Sequence, residues 1–248
     1  MSILLKKLES ESEDLGLSIN RSKTKLMVVD RSSKLSNICS IQDIDTVETY
    51  TYLGSLISSD GSCVSEIKRR IAIAKDAMLR LTNIWKNRSI TNRTKLRLVQ
   101  ALIFPIFLYG VETWTVRARE RQRIDAFEMW CWRRMLRIPW TAKRTNVSIL
   151  SQLKIKTRLS TICLQRILSY FGHITRRGNE SIEKLIVVGN VEGKRPRGRS
   201  PTRWSDQLRE TGARTFYNAI QMAKDRTRWR EILYDKITRH TSDHDPQS

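Results

Sequence analysis

Residues 62–85 read SCVSEIKRRIAIAKDAMLRLTNIW, and this stretch decides the fold. Val64, Ile67, Ile71, Ala74, Met78, Leu81 and Trp85 recur in alternating steps of three and four, the spacing that lines side chains along one stripe of a helix. Lys68 and Lys75 flank the stripe with stems long enough to carry their charges to water, and Arg69 and Arg80 fall well off it. The spacing predicts a helix buried along one face and basic around the rest.

The same period returns further along the chain. Thr91 can cap a helix through Phe104, which Pro105 then kinks or ends. Ile124, Phe127, Cys131, Met135 and Ile138 mark a third helix, and Leu159, Ile162, Ile167, Tyr170 and Ile174 another. Residues 193–203 (GKRPRGRSPTR) combine two prolines, two glycines and five basic groups, and predict a loop. Helix resumes over 203–237, and the tail from Thr238 is polar. Upstream, residues 3–15 predict a short helix with Gly16 as its C-cap. Residues 26–29 end in two valines and predict a buried strand, and 46–57 (TVETYTYLGSLI) predict a hairpin or a bulged edge around Gly54. The fold class is therefore mainly α with a small α/β N-terminal piece. The expected divisions are 1–60, 61–145 and 146–248.

Charge separates these parts. The 248 residues carry a formal net charge of +21. Residues 1–60 hold seven basic and nine acidic side chains, whereas 61–248 hold 39 basic and 16 acidic ones. A surface of that sign attracts polyanions, so nucleic acid is the expected partner. The longest apolar run, 101–111, is 11 residues, and a membrane span needs about 20. No membrane partner is expected. The N-terminus lacks the apolar core of a secretion signal, so the expected location is cytoplasmic or nuclear. Cys39, Cys63, Cys131 and Cys163 form no CxxC, and reduced thiols are expected of them.

Catalytic patterns are absent from the sequence. There is no GxxxxGKS, GxGxxG, HExxH or GxSxG. Phosphoryl transfer through two metals needs carboxylates packed around ions about 4 Å apart, and no Asp-Asp pair stands on an apolar strand. Glu13 and Asp14 sit at a charged helix end, and Glu112 near Trp114 is a lone carboxylate. No catalytic or metal-ligating residue is assigned.

Several segments carry a resemblance. Gly16-Leu17-Ser18-Ile19-Asn20, then Lys23-Thr24-Lys25 and the strand 26–29, resemble the palm segment after the catalytic strand in non-LTR (LINE-type) retrotransposon reverse transcriptases. Tyr52-Leu53-Gly54 resembles the primer-grip turn that follows there. Residues 102–114 (LIFPIFLYGVETW) resemble a helix of the thumb region. Residues 123–138, Gly172-His173-Ile174 with Arg176-Arg177, and 193–204 resemble the basic C-terminal region. The match runs in order along nearly the whole chain. It implies a reverse transcriptase palm remnant, a helical thumb and a basic helical C-terminal region, truncated before the catalytic Asp-Asp strand. Mg²⁺ is then expected only in the intact family enzyme, and the chain alone is expected to be inactive in polymerisation.

The resemblance and the charge together name the candidate nucleic-acid contacts. Lys23 and Lys25 are placed against nucleotide or template phosphates, or else are surface lysines beside a strand. Tyr52, Leu53 and Gly54 are placed at a primer end, or form a plain turn. Trp85, Trp114 and Trp130 are expected in the core; Trp132 and Trp140, flanking Arg133, Arg134 and Arg137, are the better candidates for base stacking. Lys194, Arg195, Arg197, Arg199 and Arg203 form the sharpest basic cluster. Arg197-Gly198-Arg199 resembles the centre of an AT-hook, although Ser200 stands where a proline is usual. A transport signal or a linker is the alternative. The partner is expected to be RNA, an RNA/DNA hybrid or DNA. The alternatives to a reverse transcriptase fragment are a stand-alone basic binder and a non-functional transposon remnant.

Overall fold

The computed structural model describes residues 2–29, 41, 44–189 and 202–236. It divides into two compact units, Met1–Glu66 and Ile67–Ser248. The architecture is mainly helical, with one two-stranded antiparallel sheet among the described residues.

In the first unit, α1 spans Ser2–Glu13 and Gly16 follows it with φ +70°, the left-handed closure expected of a C-cap. Strands β1 (Thr49–Tyr52) and β2 (Ser55–Ser58) pair antiparallel with Tyr52 opposite Ser55. The two-residue turn has φ 46° at Leu53 and 77° at Gly54, the doubly positive form whose twist suits a hairpin. Helix α2 (Val64–Arg80) starts just beyond. Its first-turn Glu66 is buried and accepts from the Leu56 amide at 3.0 Å and the Ser55 hydroxyl at 3.4 Å.

Residues 26–29 are not the buried strand their composition suggests. Leu26 makes a single parallel bridge to Thr46, and Val29 is 53% exposed. A parallel strand is buried by neighbours on both faces, and here one bridge leaves most of the segment half-covered. Among the described apolar side chains of this unit Ile44 is buried, while Ile3, Leu4, Leu8, Leu15 and Leu17 are exposed.

The second unit holds the core. Along α2 the expected stripe is buried at Ile67, Ile71, Ala74 and Met78, and short α3 (Thr82–Lys86) continues it to Trp85. Ile71→Asp should therefore lower unfolding stability by several kcal/mol, since a carboxylate would be buried without a partner. Lys75→Ala should shift it by about 1 kcal/mol or less, because it removes only a cation over the Trp130 ring at 5.2 Å. Equal urea midpoints for the two variants would contradict burial of the stripe.

Thr91 caps α4 (Asn92–Leu98), its hydroxyl accepting from the Thr94 amide at 3.2 Å. Lys95 is buried and donates to the Trp85 and Asn87 carbonyls at 2.9 and 2.7 Å, which satisfies the end of α3. Pro105 does not end this helical path at Phe104. The turn widens to a π-turn over Val99–Ile103 and continues as α5 (Phe104–Phe107). Proline lacks the amide that an ordinary turn needs, and a widened turn accommodates it.

Helix α6 (Ala118–Leu136) follows, then α7 (Asn146–Leu153) and α8 (Leu159–Thr175). Helix α8 is buried on nearly every side, from Leu159 and Thr161 through Phe171 to Ile174, as a helix at the centre of a core must be. Past α9 (Ile182–Val188), the expected long C-terminal helix is broken into pieces. A 3₁₀ stretch, Trp204–Thr211, ends at Gly212 with φ +80°. Helix α10 (Phe216–Lys224) gives way at Asp225, whose carboxylate caps α11 (Arg226–Glu231), and a π-turn over Ile232–Lys236 follows. Phe171 on α8 meets Trp204, Phe216 and Trp229 at ring distances of 6.2, 5.9 and 5.8 Å. Gln207 fastens this end to the segment after α5, donating to the Trp114 carbonyl and accepting from the Val116 amide, each at 3.0 Å. The Trp204 indole donates to the Glu112 carbonyl at 2.9 Å.

Candidate nucleic-acid interface

The fate of the acidic side chains sets the field of the second unit. Asp76, Glu128, Glu183 and Glu210 pair with Arg80, Arg158, Arg177 and Arg121. Asp206 and Asp225 accept from backbone amides at helix starts, and Glu120 accepts from the Arg117 amide. These carboxylates have partners within the fold, and the cations of residues 61–248 outnumber the acids 39 to 16, so this part of the chain carries a net positive charge.

The largest gathering of candidate residues lies where α6 ends. Arg133, Arg134 and Arg137, with Lys86 from α3, line an open cleft of 290 Å³ whose floor includes Trp85 and Pro139. Among the described residues, no acidic side chain lines it. Arg137 has φ 57°, and helix closure proceeds through backbone: its amide donates to the Arg134 carbonyl at 3.2 Å and the Ile138 amide to the Arg133 carbonyl at 2.9 Å. The arginine heads are therefore not consumed in satisfying the helix end. A helix C-terminus contributes about half a negative charge, which four cations outweigh. Arg133 is held by donating to the Arg144 carbonyl at 2.8 Å and to Asn146 Oδ1 at 2.9 Å. Arg137 and Lys86 make no ion pair among the described residues.

The tryptophans exchange roles relative to the sequence reading. Trp132 is fully buried, stacked edge-on against Phe104 at 5.3 Å, with its indole donating to Glu128 at 3.3 Å. Trp130 is the half-exposed ring, with Lys75 at 5.2 Å and Arg134 at 5.9 Å from its centre. Trp132 lies three residues before Met135 and four after Glu128, so it belongs to the buried arc of α6. The side chain of Trp140 lies outside the described residues.

The N-terminal candidates do not gather into one site. Lys25 is paired with Asp45 at 2.6 Å, and its cation in turn holds that carboxyl below the usual range. Lys23 is exposed, on a turn whose Lys23 amide donates to Asn20 Oδ1 at 3.1 Å. Tyr52 and Leu53 stand at the hairpin tip, 57% and 75% exposed, with Gly54 supplying the second positive φ. Of the cluster at 193–203, Lys194, Arg195, Arg197 and Arg199 lie outside the described residues. Arg203 is exposed and begins the 3₁₀ stretch, its amide donating to Asp206 at 2.7 Å.

Among the described residues, no three His, Cys, Asp or Glu side chains converge as a metal site. Burial pushes the Cys131 and Cys163 thiols up, away from reactive thiolate. Gly172, part of a segment singled out by resemblance, is buried under Trp229; its neighbour His173 is exposed, within 3.4 Å of Arg177. Among the described residues, no helix is long and apolar enough to cross a membrane.

Comparison with known proteins gives one informative similarity. The chain is 28% identical over 255 residues to an uncharacterized transposon-derived protein of Caenorhabditis elegans, covering 96% of this chain and 90% of that protein. This supports a transposon origin. No family model and no solved structure matches.

Proposed function

We propose that this chain is a transposon-derived nucleic-acid-binding protein, descended from the C-terminal part of a non-LTR retrotransposon reverse transcriptase and lacking a polymerase active site of its own. The ordered motifs from Gly16 to Trp204 and the transposon-derived relative support the descent. The binding role rests above all on the cleft in which Lys86, Arg133, Arg134 and Arg137 meet without an acid. Extended backbones of RNA or DNA present phosphates at a spacing such a cleft can neutralise. In this reading the second unit corresponds to thumb and C-terminal region, and holds a template–primer or element RNA.

The exposed Ile3, Leu4, Leu8, Leu15 and Leu17 favour a further element of the reading. A palm piece with its own partners would cover such an apolar face, so the first unit is taken as a remnant of a larger sheet domain. With no carboxylate cluster among the described residues, no primer extension is expected of this chain with Mg²⁺ or Mn²⁺.

The test is the variant Lys86→Ala/Arg134→Ala/Arg137→Ala, which spares Arg133 because of its structural bonds. It should weaken binding to duplex DNA and to structured RNA and flatten the log–log salt dependence by up to about 2.7 units on B-DNA, if each cation meets a phosphate. Unchanged affinity and slope would remove the cleft from the interface.

A further inference from the structure

A second basic cleft, of which the sequence singles out only Arg203, lies between the end of α9, the 3₁₀ stretch and the start of α10. Its volume is 440 Å³, within the range of about 300–1,000 Å³ usual for small-ligand sites. Leu208, Ala213 and Phe216 contribute apolar lining, and Arg203, Arg209 and Arg214 contribute three cations. All three arginines are exposed, and none makes a side-chain ion pair among the described residues.

Among the described residues a single carboxylate lines the cleft. Asp206, the one carboxylate of the lining, accepts from the Arg203 amide at 2.7 Å. Glu210 pairs with Arg121 at 3.6 Å, and Glu183 with Arg177. Three cations against one carboxylate leave a surplus of positive charge, whose mutual repulsion a bound anion relieves. Phe216 keeps 36% of its surface exposed although its ring meets Phe171 edge-on at 5.9 Å. An accessible aromatic ring beside guanidinium groups is the composition that receives a base together with its phosphate.

We infer that this cleft is a nucleotide site, in which Arg203, Arg209 and Arg214 take the phosphate and Phe216 takes the face of an unpaired base. A duplex keeps its bases stacked and paired, so the ligand is a nucleotide with its base free. That nucleotide belongs either to a single strand or to a free mononucleotide. The inference rests on nucleic acid being the partner, and it concerns a site separate from the cleft at the end of α6.

The experiment measures binding of the full chain to a short single-stranded oligonucleotide, to the duplex of the same sequence, and to AMP. Two variants are compared with the parent, Arg209→Ala/Arg214→Ala and Phe216→Leu, each checked for unchanged thermal unfolding. The double arginine variant should lose about tenfold in single-strand affinity and flatten the salt slope by about 1.4 units. Phe216→Leu should lose about five- to tenfold with the slope unchanged, because stacking releases no counter-ions. Duplex affinity should change little in either. AMP binding that both variants weaken identifies a free nucleotide as a ligand, and binding confined to the oligonucleotide identifies a strand; each supports the site. Single-strand affinity unchanged in both variants, or an equal loss on duplex, would overturn the inference while leaving nucleic-acid binding intact. A parent that binds none of the three would overturn both readings.

Discussion

Replacing Arg158 with methionine should cost about 3–5 kcal/mol of folding stability at neutral pH. Arg158 Nε lies 2.7 Å from Glu128, whose side chain is 1% exposed, and a second arginine nitrogen lies 3.6 Å from Asp125. Removing the cation leaves a carboxylate buried in α6 with only the Trp132 indole as a further side-chain donor at 3.3 Å. Breaking a buried pair in this way costs far more than the pair contributes over an apolar replacement. Burial already raises the Glu128 carboxyl above its ordinary value, against the pull of Arg158. Without Arg158 it should rise further. The deficit should then be full at pH above that raised folded-state value. It should shrink as pH falls through that value, and reach its minimum below the ordinary carboxylate range, where Glu128 is protonated in folded and unfolded chain alike. Urea unfolding of parent and variant across pH measures this; a deficit that stays constant with pH would assign the loss to packing alone.

Gly172→Ala should be nearly as damaging for so small a change, costing about 3 kcal/mol. An added Cβ would stand 2.5 Å from the Trp229 indole nitrogen and 2.6 Å from its neighbouring ring carbon. Trp229 cannot yield easily, since it is buried, packs on Phe171 at 5.8 Å and donates to the Leu168 carbonyl at 3.0 Å. Displacing the ring strains the core and leaves a buried donor unsatisfied. Trp229→Phe should itself destabilise, but it removes the clashing pyrrole edge. In that background Gly172→Ala should cost measurably less, giving a coupling of about 1 kcal/mol or more. Additive losses would show that the glycine is not set by the tryptophan.

These two residues show what was legible in the sequence and what was not. The stripe of α2, the cap at Thr91 and the hairpin around Gly54 rest on local spacing, and local spacing is readable. Gly172 looked like part of a basic motif, because its reason lies 57 residues away in Trp229. Helices α7 and α9 were not foreseen, although Thr145 and Ser181 accept from the Ser148 and Lys184 amides as helix caps do. Each is short, and its apolar period too brief to stand out. Trp130 and Trp132 were exchanged because adjacent arginines suggested exposure, whereas the buried arc of α6 is wide enough to take in Trp132. Charge asymmetry pointed to the basic unit from the outset. It could not show which arginines share a cleft: Lys86 joins Arg133, Arg134 and Arg137 only through the packing of α3 near the end of α6. Arg209 and Arg214 were likewise invisible as partners of Arg203 until the 3₁₀ stretch turned at Gly212.

If the cationic second unit neutralises nucleic-acid phosphates, as proposed, equilibrium binding of the full chain across a salt series shows it. Binding to duplex DNA or structured RNA should be tight at low salt and fall linearly on a log–log plot, with a slope of about −3 or steeper as three or more phosphates are neutralised. A chain that fails to bind at low salt, or binds with a slope near zero, would rule out phosphate neutralisation by this unit.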